Sequence, residues 1–334
     1  HELVLPEQPT PVEDVEPRDG RKTGPGGMRL GGDRMGGGGM GGGPGGGMPG
    51  YSAHWYAPQA VSGQETNLGL VQQSLSGGFP LWRGEGAMLL ATAGVQSTLF
   101  QTSAVFPDSG KAFPEQVWNI RLGLMATHQF DNGWTGSVML NGGSASDQPF
   151  HSVREMNGTL LTFVRVPSGE SNAWMFSLMY SPVSQIPFPI PGVAYQWQAT
   201  DTLRINVGVP FQVFWQPTED IYFQASYFPL TIVRLQSGWR VGSGPVTVFG
   251  GYDAANEAYL LADRIDYRER FFSYAQTFSA GLRYQLPRFG SLELSGGWAF
   301  DRYFFNGTGF SGRHYDRIDL SPGPYLAAAY RLSF

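Results

Sequence analysis

The sequence predicts an all-β fold, a closed antiparallel transmembrane β-barrel of 12–14 strands (range 12–16) over residues 51–334. Three observations predict it. Segment after segment alternates an apolar parity with one of Ser, Gly, Thr, Asn and Arg, the period-2 pattern of strands with two unlike faces. The connections alternate between short and long, as in barrels with tight turns at one rim and loops at the other. The final stretch, GPYLAAAYRLSF, keeps an apolar residue at every second position up to Phe334, where a water-soluble domain would fray into polar residues.

Residues 1–50 stand apart. From Gly24 to Gly50 the chain reads GPGGMRLGGDRMGGGGMGGGPGGGMPG, in which nothing can build a core and each glycine costs backbone entropy to order. Residues 1–23 are acidic and proline-bearing. The whole stretch is expected to be a disordered Gly/Met-rich tail on the periplasmic side. Its methionines Met28, Met35, Met40 and Met48 are of the soft type that suits Cu(I), but their neighbours are mainly glycine, so a flexible spacer is the plainer reading.

The strands follow in order. In QVWNIRLGLMATHQF, Trp118, Ile120, Leu122, Leu124 and Phe130 share a face against Asn119, Arg121 and Gly123. The turn Asp131-Asn132-Gly133 leads into Trp134, Val138 and Leu140, making a hairpin. Residues 172–181, 203–209, 272–285 and 291–300 alternate in the same way. Short turns are expected at 83–86, 131–133, 167–170, 199–202, 217–220, 242–245 and 287–290. Long loops are expected at 103–115, 145–157, 182–191, 253–271 and 305–316. Trp82, Trp134, Trp174, Trp197, Trp215 and Trp239 lie close to the short turns, where an indole can rest at a lipid–water boundary as an aromatic girdle.

Composition narrows the function classes. There is no cysteine, which excludes disulfides and thiolate metal sites. The net charge is −5, so nucleic acid is not an expected partner. Lys22 and Lys111 are the only lysines, and the remaining basic residues are arginines, suited to fixed pairs with carboxylates in a crowded wall. No apolar run reaches the eighteen residues of a membrane-spanning helix.

The terminal pattern Leu326, Ala328, Tyr330, Leu332 and Phe334 resembles the carboxy-terminal signature of bacterial outer-membrane barrels, which implies recognition by the barrel assembly machinery. A narrower resemblance rests on SPVSQIPFPIPGVAYQWQATDTLRINVGVPFQVFWQPTEDIYF (181–223) and LELSGGWAFDRYFF (292–305). There the chain resembles a family of bacterial outer-membrane β-barrels catalogued as a domain of unknown function. The resemblance spans 51–334 and implies a fold and an outer-membrane location with its lipid, but no catalytic residues.

Candidate chemistry is sparse. His1, His54, His128, His151 and His314 are scattered without metal-ligand spacing, so no metal and no cofactor is expected. His151 beside Ser152 and His314 near Asp316 could in principle serve a rim hydrolase, but solvated loop residues are the ordinary reading, and no enzyme is expected. The informative set is the polar parity: Arg121, Arg204, Arg234, Arg240, Arg283 and Arg331, with Glu293 and Asp301. An arginine facing lipid at the midplane costs about 2–4 kcal/mol, so these residues are expected to line the lumen. They either line a water-filled, anion-favouring constriction or knit with carboxylates in a filled interior. The expected role is a small porin-like channel for polar or anionic solutes. The alternative is a non-conducting barrel whose tail or loops bind a partner, and an outer-membrane enzyme stands third. The oligomeric state is open.

Overall fold

A computed structural model of the protein describes residues 49–183, 186, 188–228 and 232–332. The expected tail lies outside the described residues except for its last two, and Gly50 already opens the first strand.

The strands are β1 (Gly50–Ala60), β2 (Asn67–Gly84), β3 (Ala87–Gln101), β4 (Gln116–Gln129), β5 (Thr135–Ser146), β6 (Met156–Ser168), β7 (Asn172–Tyr180), β8 (Ile190–Thr200) and β9 (Leu203–Gly208). They continue as β10 (Phe211–Trp215), β11 (Ile221–Phe228), β12 (Ile232–Arg240), β13 (Val246–Tyr259), β14 (Arg270–Leu286), β15 (Gly290–Gly307), β16 (Arg317–Leu320) and β17 (Gly323–Arg331). Each pairs antiparallel with its neighbours, and β17 pairs with β1, Tyr51 opposite Tyr330 and Trp55 opposite Leu326. That pairing closes the sheet and leaves no edge strand. β16 and β17 both lie along β15, so they are two segments of one strand and the barrel has 16 strands. The central expectation of 12–14 undercounts because β9 to β12 are separate short strands.

The outer face is apolar. Leu122 is 67% exposed, Leu282 54% and Leu326 60%, all on the parity opposite the arginines. Exposed apolar side chains around a closed barrel are what a hydrocarbon environment stabilises. The short turns gather at one rim with both ends of the barrel, and Gly86 (φ 68°) and Gly133 (φ 80°) take the left-handed backbone two of them need.

Strand length varies sharply around the wall. β2 and β15 have 18 residues and β14 has 17, whereas β9 has six and β10 five. The expected loop 253–271 is instead strand at both ends: β13 runs to Tyr259 and β14 starts at Arg270. DAANEAY (253–259) is poor in strand formers, and its pairing with β14 overrides that propensity. The upper end of β13, past its described pairing with β12, reaches across to β5. The Leu260 N–H donates to the Ala145 carbonyl at 2.7 Å, and the Ala262 N–H to Asp147 Oδ1 at 2.8 Å.

Candidate lumenal site

The β5–β13 seam divides the interior at its loop end. Nine strands (β13 round through the β16/β17 strand to β5) enclose one lobe, and β6 to β12 wall the other.

The nine-strand lobe is filled. The connection between β3 and β4 turns inward and places Phe106 and Phe113 among Leu68, Phe100, Val117, Tyr259, Phe271, Phe304 and Ile318, all buried. Phe113 meets Phe100 and Phe304 edge-on at 5.0 and 5.1 Å between ring centroids, a favoured aromatic arrangement. Asp316 fastens this plug. Its carboxylate accepts from the main-chain N–H groups of Asp108 and Ser109, from Ser109 Oγ and from Asn306 Nδ2. Below the aromatics, Glu257 accepts from Gln96 at 3.0 Å, Gln72 at 3.2 Å and Tyr259 Oη at 2.7 Å. Arg302 lies 4.7 Å from the Tyr56 ring centroid. A partly buried charge with this many partners rigidifies rather than conducts.

The seven-strand lobe differs in kind. Its inward side chains, including Thr159, Arg165, Ser177, Gln198, Gln212, Gln224, Ser226 and Gln236, remain partly open to water. Register aligns Gln196 with Asn206 and Gln198 with Arg204 across β8 and β9. Asn206 aligns with Gln212 and Arg204 with Phe214 across β9 and β10. Arg165 Nε donates to Gln196 Oε1 at 3.1 Å and Arg204 Nε to Gln198 Oε1 at 3.2 Å. Neither guanidinium has an ion-pair partner among the described residues.

The sequence-predicted arginines therefore fall into groups. Arg283 and Arg331 both bind Glu293, and Arg283 Nη1 also donates to Tyr222 Oη at 3.3 Å. Arg234 pairs with Asp253 at 2.6 Å. Arg121 faces the filled lobe and shares its field with Glu257. Arg204 lies on the β6–β12 wall beside the short turn before β9, with no ion-pair partner among the described residues. Arg240 is exposed beside the short turn after β12.

Asp301 is a correction: it does not face the lumen. A bulge between Tyr274 and Gln276 on β14 inserts an extra residue on β15, Asp301 adopts φ 45°, and the parity of β15 flips there. Asp301 Oδ2 accepts from Gln276 Nε2 at 2.7 Å on the outer face, where Phe300 stacks on the exposed Phe278.

Sequence reasoning missed Arg165, Glu257 and Arg302. Arg165 lies in LLTFVRV (160–166), where both parities are apolar enough to hide the inward one. Glu257 lies in the stretch read as loop. Arg302 is brought inward by the bulge at Asp301.

All six girdle tryptophans, Trp82, Trp134, Trp174, Trp197, Trp215 and Trp239, are exposed near the short-turn rim. Leu326, Ala328 and Tyr330 form the outer face of β17, Leu332 follows it, and Phe334 lies outside the described residues. Ser152 Oγ donates to Glu155 Oε2 at 2.7 Å, and Asp316 is occupied by the plug. Neither residue is joined to His151 or His314. Among the described residues no cluster of three His, Asp or Glu is placed to hold a metal.

No protein-family model matches the chain, and no curated protein matches it. Solved structures similar to it include Pseudomonas aeruginosa OccK7 (OpdD), with 11% identity, 85% of this chain and 98% of that chain covered, and a TM-score of 0.37. The β domain of the Bordetella autotransporter BrkA has 12% identity, coverage of 86% and 99%, and a TM-score of 0.31. A variant porin of Rh. blastica has 12% identity, coverage of 86% and 99%, and a TM-score of 0.31. These are distant likenesses; the barrel assignment rests on the strand pairing and the apolar outer face.

Proposed function

We propose that the protein is a pore of the bacterial outer membrane that passes polar, preferentially anionic solutes through the seven-strand lobe. The observation that carries this is the contrast between the two lobes: the nine-strand lobe is packed with aromatics, whereas the wall of β6 to β12 presents water-accessible amides and the uncompensated Arg165 and Arg204. Charged rings of one sign select solutes of the other in a narrow aqueous passage. In this reading the short-turn rim, the tryptophan girdle and the amino-terminal tail face the periplasm. The lipid of the outer membrane surrounds the barrel, and the assembly machinery reads the terminal strand.

Planar-bilayer recording of the purified protein under a KCl gradient tests it. A stable current whose reversal potential reports anion preference supports the pore, and silence from correctly inserted protein counts against it. A second reading, a non-conducting barrel whose tail or loops engage a periplasmic or surface partner, is favoured by the filled nine-strand lobe. Silence would be its signature.

A further inference from the structure

On the wall of β6 to β10, towards its short-turn end, Arg165, Gln196, Gln198, Arg204, Asn206 and Gln212 form a built cluster whose unused hydrogen-bonding groups define a ligand. Each arginine spends only its Nε on a glutamine, leaving the paired Nη groups, the edge that grips a carboxylate with two parallel bonds. Asn206 is 8% exposed, its Nδ2 donates to Gln212 Oε1 at 3.2 Å, and its Oδ1 has no partner. A buried acceptor left empty costs free energy comparable to a lost hydrogen bond, and a ligand hydroxyl would satisfy it. The glutamine amides both donate and accept, which suits hydroxyl groups. Phe214, opposite Arg204 on β10, offers a ring face for the C–H face of a sugar.

We infer that this cluster is a subsite for an acidic saccharide, its carboxylate held by Arg165 or Arg204 and its hydroxyls by Asn206 and the glutamines. A small carboxylic acid would use only the guanidinium groups, and a neutral saccharide only the amides. The inference rests on the seven-strand lobe being accessible, as the pore reading holds.

The test compares trigalacturonate, maltotriose and acetate on the full-length protein, with insertion checked by heat-modifiable gel migration. In single-channel recordings, trigalacturonate is expected to block the current at a concentration about tenfold below maltotriose, the step that one charge-assisted hydrogen bond supplies. Arg165→Gln and Arg204→Gln should each raise that concentration about tenfold. Asn206→Leu should weaken both saccharides and leave acetate unchanged. An anion-selective current in which trigalacturonate blocks no better than acetate or maltotriose overturns the subsite and leaves the pore intact. Calorimetric titration of trigalacturonate in detergent separates the two readings: binding without current supports the subsite and overturns the pore, and absence of both overturns both.

Discussion

Asp316 and Asp108 hold each other reciprocally: the Asp108 N–H donates to Asp316 Oδ1 at 3.2 Å, and the Asp316 N–H donates to Asp108 Oδ2 at 2.5 Å. The pair joins the plug-bearing connection after β3 to the connection before β16, so that Phe106 and Phe113 are fixed from outside their own cluster.

Asp316→Ala should therefore loosen the plug. Removing the carboxylate strands donors from Asp108, Ser109 and Asn306, a loss of about 2–4 kcal/mol. Denaturant unfolding would show the lower midpoint, and hydrogen exchange should rise first across 103–115.

Selectivity should follow the uncompensated arginines. A unit charge about 6 Å from a passing ion in water is worth ~0.7 kcal/mol, a factor of about three in permeability ratio. Arg204→Gln should lower anion preference by that order, whereas Arg283→Gln should change it less because Glu293 already neutralises that guanidinium. Equal shifts in reversal potential for the two variants would contradict the difference between the Glu293-paired arginine and the one held only by an amide.

Glu293 bridges Arg283 and Arg331. Glu293→Gln leaves two inward arginines facing each other and should cost about 3 kcal/mol, read as a lower thermal midpoint. Replacing all three residues with neutral polar side chains should recover part of the loss.

Acid should release the loops beside the seam. Burial pushes the Glu155 carboxyl up, but the Ser152 N–H and Oγ and the charge of Arg264 outweigh burial and hold it below the usual carboxylate range. A carboxyl lowered on folding stabilises the fold above its unfolded value of about 4.3, and that contribution fades as pH falls through the lower folded value. Hydrogen exchange at 147–155, corrected for its intrinsic pH dependence, should therefore accelerate below about pH 4. In Glu155→Gln that transition should be absent.

The outer face was legible in the sequence because one parity of each strand must meet hydrocarbon, and Leu122, Leu282, Leu326 and the six tryptophans obey it. Pairing of Arg283 with Glu293 was within reach for the same reason, since both fall on the opposite parity. The orientation of Asp301 was not, because a single inserted residue inverts parity without altering composition. The division into lobes was hidden too: it depends on Leu260 meeting Ala145, a contact between strands on opposite sides of the barrel. The strand count stayed ambiguous where β9 and β10 are too short to show a period.

The unequal wall also acts on its surroundings. Beside β14 and β15 the wall is made of strands of 17 and 18 residues, whose loop ends bury Phe272 and Phe305 in protein, and beside β10 of a strand of five. A bilayer answers such hydrophobic mismatch by thinning on the short flank or by letting the protein lean. The short flank at β9 and β10 is therefore where a surrounding bilayer would have most cause to thin.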